Sequence, residues 1–226
     1  MISGERSLQE AARDFHYLLN YAYPRKASLE LAGNRYALSF DQRHLLHRGI
    51  FSDSDARLRK TKKVPLRRLR DKPLAVDGYN VLITIESALS GRPLISSNDG
   101  FIRDISGLSG HFRKTESTDR ALGLIVDFLK RARPRRTLFL FDAPISKSGL
   151  LAREIRRILK NEDLRGDASA VRVPEETLIG FDGIVATSDT AIIDQSPEVF
   201  DLAGHVIRSR IRPGSLLKLK VYLHRK

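Results

Sequence analysis

The sequence predicts an α/β fold: a parallel sheet with helices on both faces, preceded by a small helical region. Three observations lead there. From residue 73 onward, short apolar runs alternate with amphipathic helical segments, the pattern of a parallel sheet wrapped by helices. Those runs are continuously apolar, as strands buried on both faces are. Before residue 73 the apolar spacing is helical and no such run occurs.

Taken in order, residues 7–22 place Leu8, Ala11, Ala12, Phe15, Leu18 and Leu19 on one helical stripe, with Ser7 as N-cap and Glu10 three residues on. Pro24 ends that helix. Two further short helices follow, broken at Gly33-Asn34, and Ser39 caps the second of them. Residues 1–56 therefore read as a helical module, and 57–72, polar, basic and interrupted by Pro65, as a linker. The α/β domain spans 73–210. Its strands are Leu74–Val76, Thr137–Phe141, Ala170–Val173 and Gly183–Thr187, and its helices lie at about 80–90, 118–132 and 148–160. Another apolar run, His205–Ile207, follows a short helix after Pro197. Residues 90–118 form a long Gly/Ser-rich insertion carrying Asp99, Arg103, Asp104 and His111. It reads as a surface loop or as a cover that brings Arg103 to a substrate, since long loops in compact domains are often functional. In residues 211–226 apolar and basic residues alternate, as in a basic tail or an edge strand with outward cations.

Composition narrows the function. The chain has 226 residues, 41% hydrophobic and 30% charged, with a net charge of +13. It has no cysteine, which excludes disulfides, thiolate nucleophiles and Cys-ligated zinc. With no signal-like apolar stretch and no run near the ~20 residues of a membrane span, the expectation is a cytoplasmic protein without a membrane partner. Charge is unevenly placed: residues 57–72 hold nine Lys/Arg and one acid, residues 202–226 seven and none, and residues 73–201 hold 17 basic against 19 acidic, a net of −2. Basic flanks around an acidic middle suggest a polyanion. Lys62, Lys63, Arg67 and Arg68 would then supply sequence-independent phosphate affinity.

Three of the four strands end in an aspartate: Asp77, Asp142 and Asp189. In an open parallel sheet those ends share one edge, where ligands bind. Asp182 and Asp194, just before and after the last of these segments, can join the group. Each aspartate alone is explained by helix capping. Together they would repel, raising each other's pKa unless a cation neutralises them. Mg²⁺ or Mn²⁺, hard ions that keep several waters, are the economical solution, and such an ion can activate water and neutralise a phosphodiester. Ser146, Lys147 and Ser148, before a helix, offer a phosphate seat beside Asp142, with Ser148 as a plain N-cap the simpler account. The six histidines, His16, His44, His47, His111, His205 and His224, have no metal-binding spacing and read as surface or packing residues.

"VDGYNVL" resembles the opening strand of PIN-like nucleases, especially the NYN branch; "LFLFDAP" resembles their intermediate strand and "GIVATSDTAII" their late one. The resemblance covers roughly 73–210. The whole chain is also similar to an uncharacterised prokaryotic family that joins an N-terminal helical region ("LAGNRYALSFDQR") to such a domain. It implies a Rossmann-like α/β/α sandwich and a Mg²⁺- or Mn²⁺-dependent ribonuclease, RNA before DNA, with a homodimer common among relatives. Asp77 would be the first metal ligand, Asn80 would orient it or contact phosphate, and Asp142 and Asp189 would complete the acidic set. The central-helix acid of many PIN domains has no clear match; Asp119, Asp127 and Glu154 compete for it. That gap keeps a non-catalytic RNA- or DNA-binding protein open. A phosphatase needs a nucleophilic Asp with Lys in reach, and "DGYN" lacks the Asp-x-Asp of one large class.

Overall fold

The computed structural model describes residues 3–105, 112–212 and 216–221; His111, His224 and part of the 90–118 segment lie outside them. In chain order the elements are α1 (Ser3–Asn20), α2 (Arg25–Arg35), α3 (Phe40–Gly49), α4 (Asp53–Lys62), a 3-10 turn (Leu66–Leu69), β1 (Pro73–Asp77), α5 (Gly78–Leu89), β2 (Leu94–Ser96) and β3 (Ile102–Asp104). Then come α6 (Glu116–Ala132), β4 (Arg136–Asp142), α7 (Ser148–Asn161), β5 (Gly166–Val171), α8 (Pro174–Ile179), β6 (Ile184–Ala186), α9 (Thr190–Gln195) and β7 (Val199–Phe200). The last elements are α10 (Leu202–Val206), a π-helical turn (Ile207–Ile211) and β8 (Leu216–Leu217). None of the described helices is long and apolar enough to cross a membrane.

The chain divides into two compact units: Met1–Lys60 with Pro93–Ser106 and Ser215–Lys226, and Thr61–Arg92 with Gly107–Gly214. The second is the expected α/β fold, a five-stranded parallel sheet in the order β5-β4-β1-β6-β7. Successive side chains of a strand point to opposite faces. Leu74 and Val76 of β1, Phe139 and Phe141 of β4, and Ile184 and Ala186 of β6 accordingly share one core with apolar residues of α5, α6, α7 and α10. Ala75, Leu140 and Val185 face the other way, against Leu178 of α8 and Ile192 of α9. Helices thus cover both faces, and the strands read as unbroken apolar runs for that reason.

In the first unit, α1–α3 bury Ala11, Ala12, Phe15, Ala32, Leu46 and Ile50 together. Ser39 caps α3 through a full capping box with Gln42, as its sequence signature indicates. Two boundaries differ from expectation. Ser7 lies inside α1, which already runs from Ser3. The break expected at Gly33-Asn34 falls after Arg35, where Ala37 takes a positive φ of 48°. Gly33 stays helical, and the Arg43 guanidinium fills the space that a Cβ there would take, 2.0 Å away.

The described parts of the segments expected as linker or loop hold regular elements. Residues 57–62 continue α4 and residues 66–69 form the 3-10 turn. Within 90–118, β2 and β3 pair antiparallel, and β2 pairs in parallel with β8 in a three-stranded sheet. The apolar run 205–207 is helical.

Candidate active site

β1 sits between β4 and β6. After β1 the chain adds β4 and then β5 on one side, and it returns to add β6 and β7 on the other. The β1–β6 gap is therefore the switch point of the sheet, and ligands bind at the carboxyl ends of strands there. Asp77 ends β1 at that gap and Asp189 follows β6 across it. Asp142 ends β4 on the other flank of β1, two residues past Leu140, the partner of Asp77. Glu175, in the first turn of α8 after β5, extends the acidic row.

The two motifs at the gap are tied together by side chains. The Thr187 hydroxyl donates to Asp77 Oδ2 at 2.7 Å and accepts the Asp189 backbone N–H at 3.0 Å. Asn80 Oδ1 accepts both the N–H and the hydroxyl of Ser188, each at 2.9 Å. The Asn80 side chain thus orients the β6–α9 turn, while its backbone N–H is the part that acts on Asp77. Gly78 is required by close approach: a Cβ there would lie 2.3 Å from the Phe141 ring. Tyr79, buried between Phe112 and Phe141, packs the same turn onto the core.

Charge in the row is poorly compensated. Burial is the main cause that pushes the Asp77 carboxyl up to about 7, and the charges of Asp189 and Asp142 push the same way, against the Thr187 hydrogen bond. Asp142 is raised by burial and then by Glu175. Tyr79 is raised to about 12 by burial and by Asp142. Asp189 Oδ1 accepts the N–H groups of Ala191 and Ile192, so this residue is also the N-cap of α9.

The donor set is all oxygen and mutually repelling, the chemistry that suits a hard divalent cation. No group of three or more His, Asp or Glu side chains that could hold a metal ion together occurs among the described residues. An all-protein cage is thus absent among the described residues; an ion of the Mg²⁺ type, which is commonly held by one or two carboxylates and otherwise hydrated, would not need one.

Other candidates fall elsewhere. Asp182 is exposed at the amino end of β6, roughly 15 Å of strand from the aspartate edge. Asp194 is exposed on the last turn of α9. Arg103, in the other unit, is buried in a bidentate pair with Asp99 at 2.7 and 2.9 Å and cannot reach a substrate. Lys62 donates to the carbonyls of Ile193 and Asp194, Lys63 pairs with Asp201 at 3.0 Å, and Arg68 with Glu198 at 2.8 Å. Arg67 is exposed. Ser148 is the first residue of α7 rather than its cap, and its hydroxyl donates to the Ala143 carbonyl at 3.3 Å. Ser146 and Lys147 are exposed four and five residues past Asp142, Lys147 with a positive φ of 66°. Lys114 engages both Asp119 and Glu154, at 2.7 and 2.5 Å. His16 is buried against Asp53 and Asn20, and His205 packs on Phe128 and Phe200.

Thr187 and Glu175 were not singled out from sequence. Glu175 carried a signal: β5 is followed by Pro174-Glu175-Glu176, an acid beyond the strand end like the other three.

Residues 66–205 match the family model described as domain of unknown function DUF5616, and residues 7–62 the one described as protein of unknown function DUF434. The uncharacterized protein MJ0935 of Methanocaldococcus jannaschii is 33% identical over 187 residues, 83% of this chain and 89% of that relative. No solved structure matches the chain.

Proposed function

The chain belongs to the DUF5616 family, and we propose that its α/β unit is a metal-dependent nuclease that hydrolyses RNA phosphodiester bonds at Asp77, Asp142 and Asp189. The observation that carries this reading is the row of carboxylates along the carboxyl edge of a parallel sheet, with Asp77 and Asp189 on the two sides of its switch point and Asp142 on the next strand. A structural role accounts for Asp189 as a cap but gives no reason for a buried Asp77 beside it.

Asp77 and Asp142 would hold Mg²⁺ or Mn²⁺, which supplies an activated water and neutralises charge on the phosphodiester. Thr187 holds Asp77 in one orientation, and Asn80 fixes the turn that carries Asp189. Lys147, exposed five residues past Asp142, would meet a phosphate oxygen on this reading. One observation favours a second reading, a binding protein that does not cut: Asp189 Oδ1 is already committed to two helix N–H groups.

Labelled single-stranded RNA incubated with Mn²⁺ and the wild-type, Asp77→Asn or Asp142→Asn protein separates the two. Cleavage that falls at least a hundredfold in both variants, with RNA binding retained, supports the nuclease. Binding with no cleavage by the wild type in any divalent metal refutes it.

A further inference from the structure

The basic residues expected to grip a polyanion are largely held by internal partners, yet the helical unit has a different cationic site. A cleft of about 260 Å³ is lined by Arg57 and Lys60 of α4, by Lys218 and Lys220 after β8, and by Asp53. Arg57 and Lys60 are three apart on their helix, so they share a face. Lys218 and Lys220 are two apart after β8 and both are exposed where the residues between and after them are half-buried, so they also share a side. The alternate residues, Leu219 and Val221, pack against the core of α1–α3. Gln9 fixes that segment, accepting the Lys220 N–H at 3.0 Å and donating to its carbonyl. All four cations are exposed, and none has an acidic side-chain partner among the described residues. Asp53, the one acid in the lining, is engaged by His16 at 3.1 Å. Four cations facing one acid repel each other, and an external anion relieves that repulsion.

A second observation indicates what kind of anion. His16 and Asn20 of α1 both bond Asp53, through its carboxylate and its backbone N–H, which docks the end of α1 at the cleft. That same end carries Tyr17, Tyr21 and Tyr23, exposed by 50%, 64% and 57%. Tyr17 and Tyr21 lie with ring centroids 4.5 Å apart. None of the three lines the cleft itself; Tyr17 and Tyr21 follow His16 and Asn20, the residues that bond Asp53, by one position each. Exposed aromatic rings on an element anchored at a cationic groove are what a single strand needs: bases stack on the rings and phosphates meet the cations. A free oligophosphate has no use for the rings, and a duplex keeps its bases stacked within.

We propose that this cleft and the tyrosines beside it bind single-stranded RNA, phosphates at Arg57, Lys60, Lys218 and Lys220 and bases on Tyr17 and Tyr21. The choice of RNA rests on the nuclease reading; the single-strand geometry does not.

Fluorescence anisotropy with a labelled 20-nucleotide oligouridine, the full chain and EDTA in place of metal reads binding without cleavage. Each phosphate contact to a single strand steepens the salt dependence by about 0.7, which is about fivefold in affinity at 0.1 M salt. Lys218→Gln/Lys220→Gln is expected to bind about 25-fold more weakly there, with the slope reduced by about 1.4. Lys218→Arg/Lys220→Arg is expected to bind within twofold of wild type. Tyr17→Ala/Tyr21→Ala is expected to lose about tenfold or more for the single strand and little for a duplex. Arg153→Gln/Arg157→Gln, exposed on α7 with the same change in charge, is the control and is expected to lose less than threefold. Equal losses in the control and the cleft variant would overturn the proposal, as would unchanged binding by the cleft variant or no binding by the wild type at low salt. Inorganic tripolyphosphate competing as well as the oligonucleotide, charge for charge, would overturn the strand as occupant. Cleft-dependent binding by a protein that cuts nothing refutes the nuclease and leaves the cleft; normal cleavage and KM in the cleft variant does the reverse.

Discussion

Replacing Asp77 by asparagine should stabilise the protein at alkaline pH. The Asp77 carboxyl is raised from 3.8 to about 7 in the folded chain, first by burial and then by Asp189 and Asp142. A folded group with a raised pKa holds its proton more tightly than the unfolded chain does. Its contribution to stability is therefore fully present below about pH 4 and is lost as pH rises through about 7. A shift of roughly three units corresponds to about 4 kcal/mol between those limits. Asparagine carries no charge and keeps an oxygen for the Thr187 hydroxyl, so Asp77→Asn escapes that loss. At pH 8 the variant should exceed wild type by up to about 4 kcal/mol, or up to about 10 °C in Tm for a chain of this length. At pH 4 the two should match. Mg²⁺ or Mn²⁺ at pH 8 should raise the wild-type Tm and leave the variant unmoved, because only the ionised site gains from a cation. Thermal unfolding from pH 4 to 8, with and without metal, measures all three. A variant less stable than wild type at pH 8, or a difference that does not change with pH, would refute the view that Asp77 sits in an uncompensated acidic row. The same variant is expected to lose cleavage, so lost activity could not be blamed on lost folding.

Two further substitutions test the packing. Arg103→Gln leaves Asp99, fully buried, without its bidentate partner and with only Arg59, at 3.5 Å, as a paired cation among the described residues, and should cost toward the lower end of about 3–5 kcal/mol in urea unfolding. The Asp99 carboxyl is held below its usual range chiefly by the charge and hydrogen bonds of Arg103 against its burial, so the wild type should lose this stability as pH falls below about 4 and the variant should lose less. Tyr79→Phe removes a buried hydroxyl that has no hydrogen-bond partner among the described residues and should stabilise by about 1 kcal/mol; a loss of stability instead would mean the hydroxyl is satisfied.

The sheet was legible because its strands are buried on both faces and so carry an unbroken apolar signal, Leu74–Val76 and Thr137–Phe141 above all. The row of aspartates was legible for a related reason: a carboxylate stands out at the end of such a run. Residues 57–72 misled because a high density of Lys and Arg resembles a linker. In the structure Lys63 and Arg68 are paired with Asp201 and Glu198, more than a hundred residues away, which no local pattern reveals. Arg103 misled for the same reason, since composition marked 90–118 as a loop while its buried pair with Asp99 belongs to a small sheet completed by β8. Asp182 was misplaced by chain proximity: six residues separate it from Asp189, but a strand runs between them and puts them on opposite edges.

Helix capping is the simplest rival account of the acidic row, and the three aspartates answer it differently. Asp189 is a true cap, with two helix N–H groups on one oxygen. Asp77 holds the cap position of α5, and the Asn80 N–H of that first turn draws its carboxyl down, but the bond its side chain closes in full geometry is the one from Thr187, across the gap. Asp142 precedes a turn rather than a helix and is raised further by Glu175. A fold needing only a cap at Asp77 would be served by serine or asparagine, without burying a charge beside two others. What distinguishes aspartate from those residues is the negative charge alone, and it is the charge that opposes folding here. Retaining it makes physical sense if something positive is bound there when the protein works, which is why the metal dependence of wild-type stability, and its absence in Asp77→Asn, bears on function as directly as cleavage does.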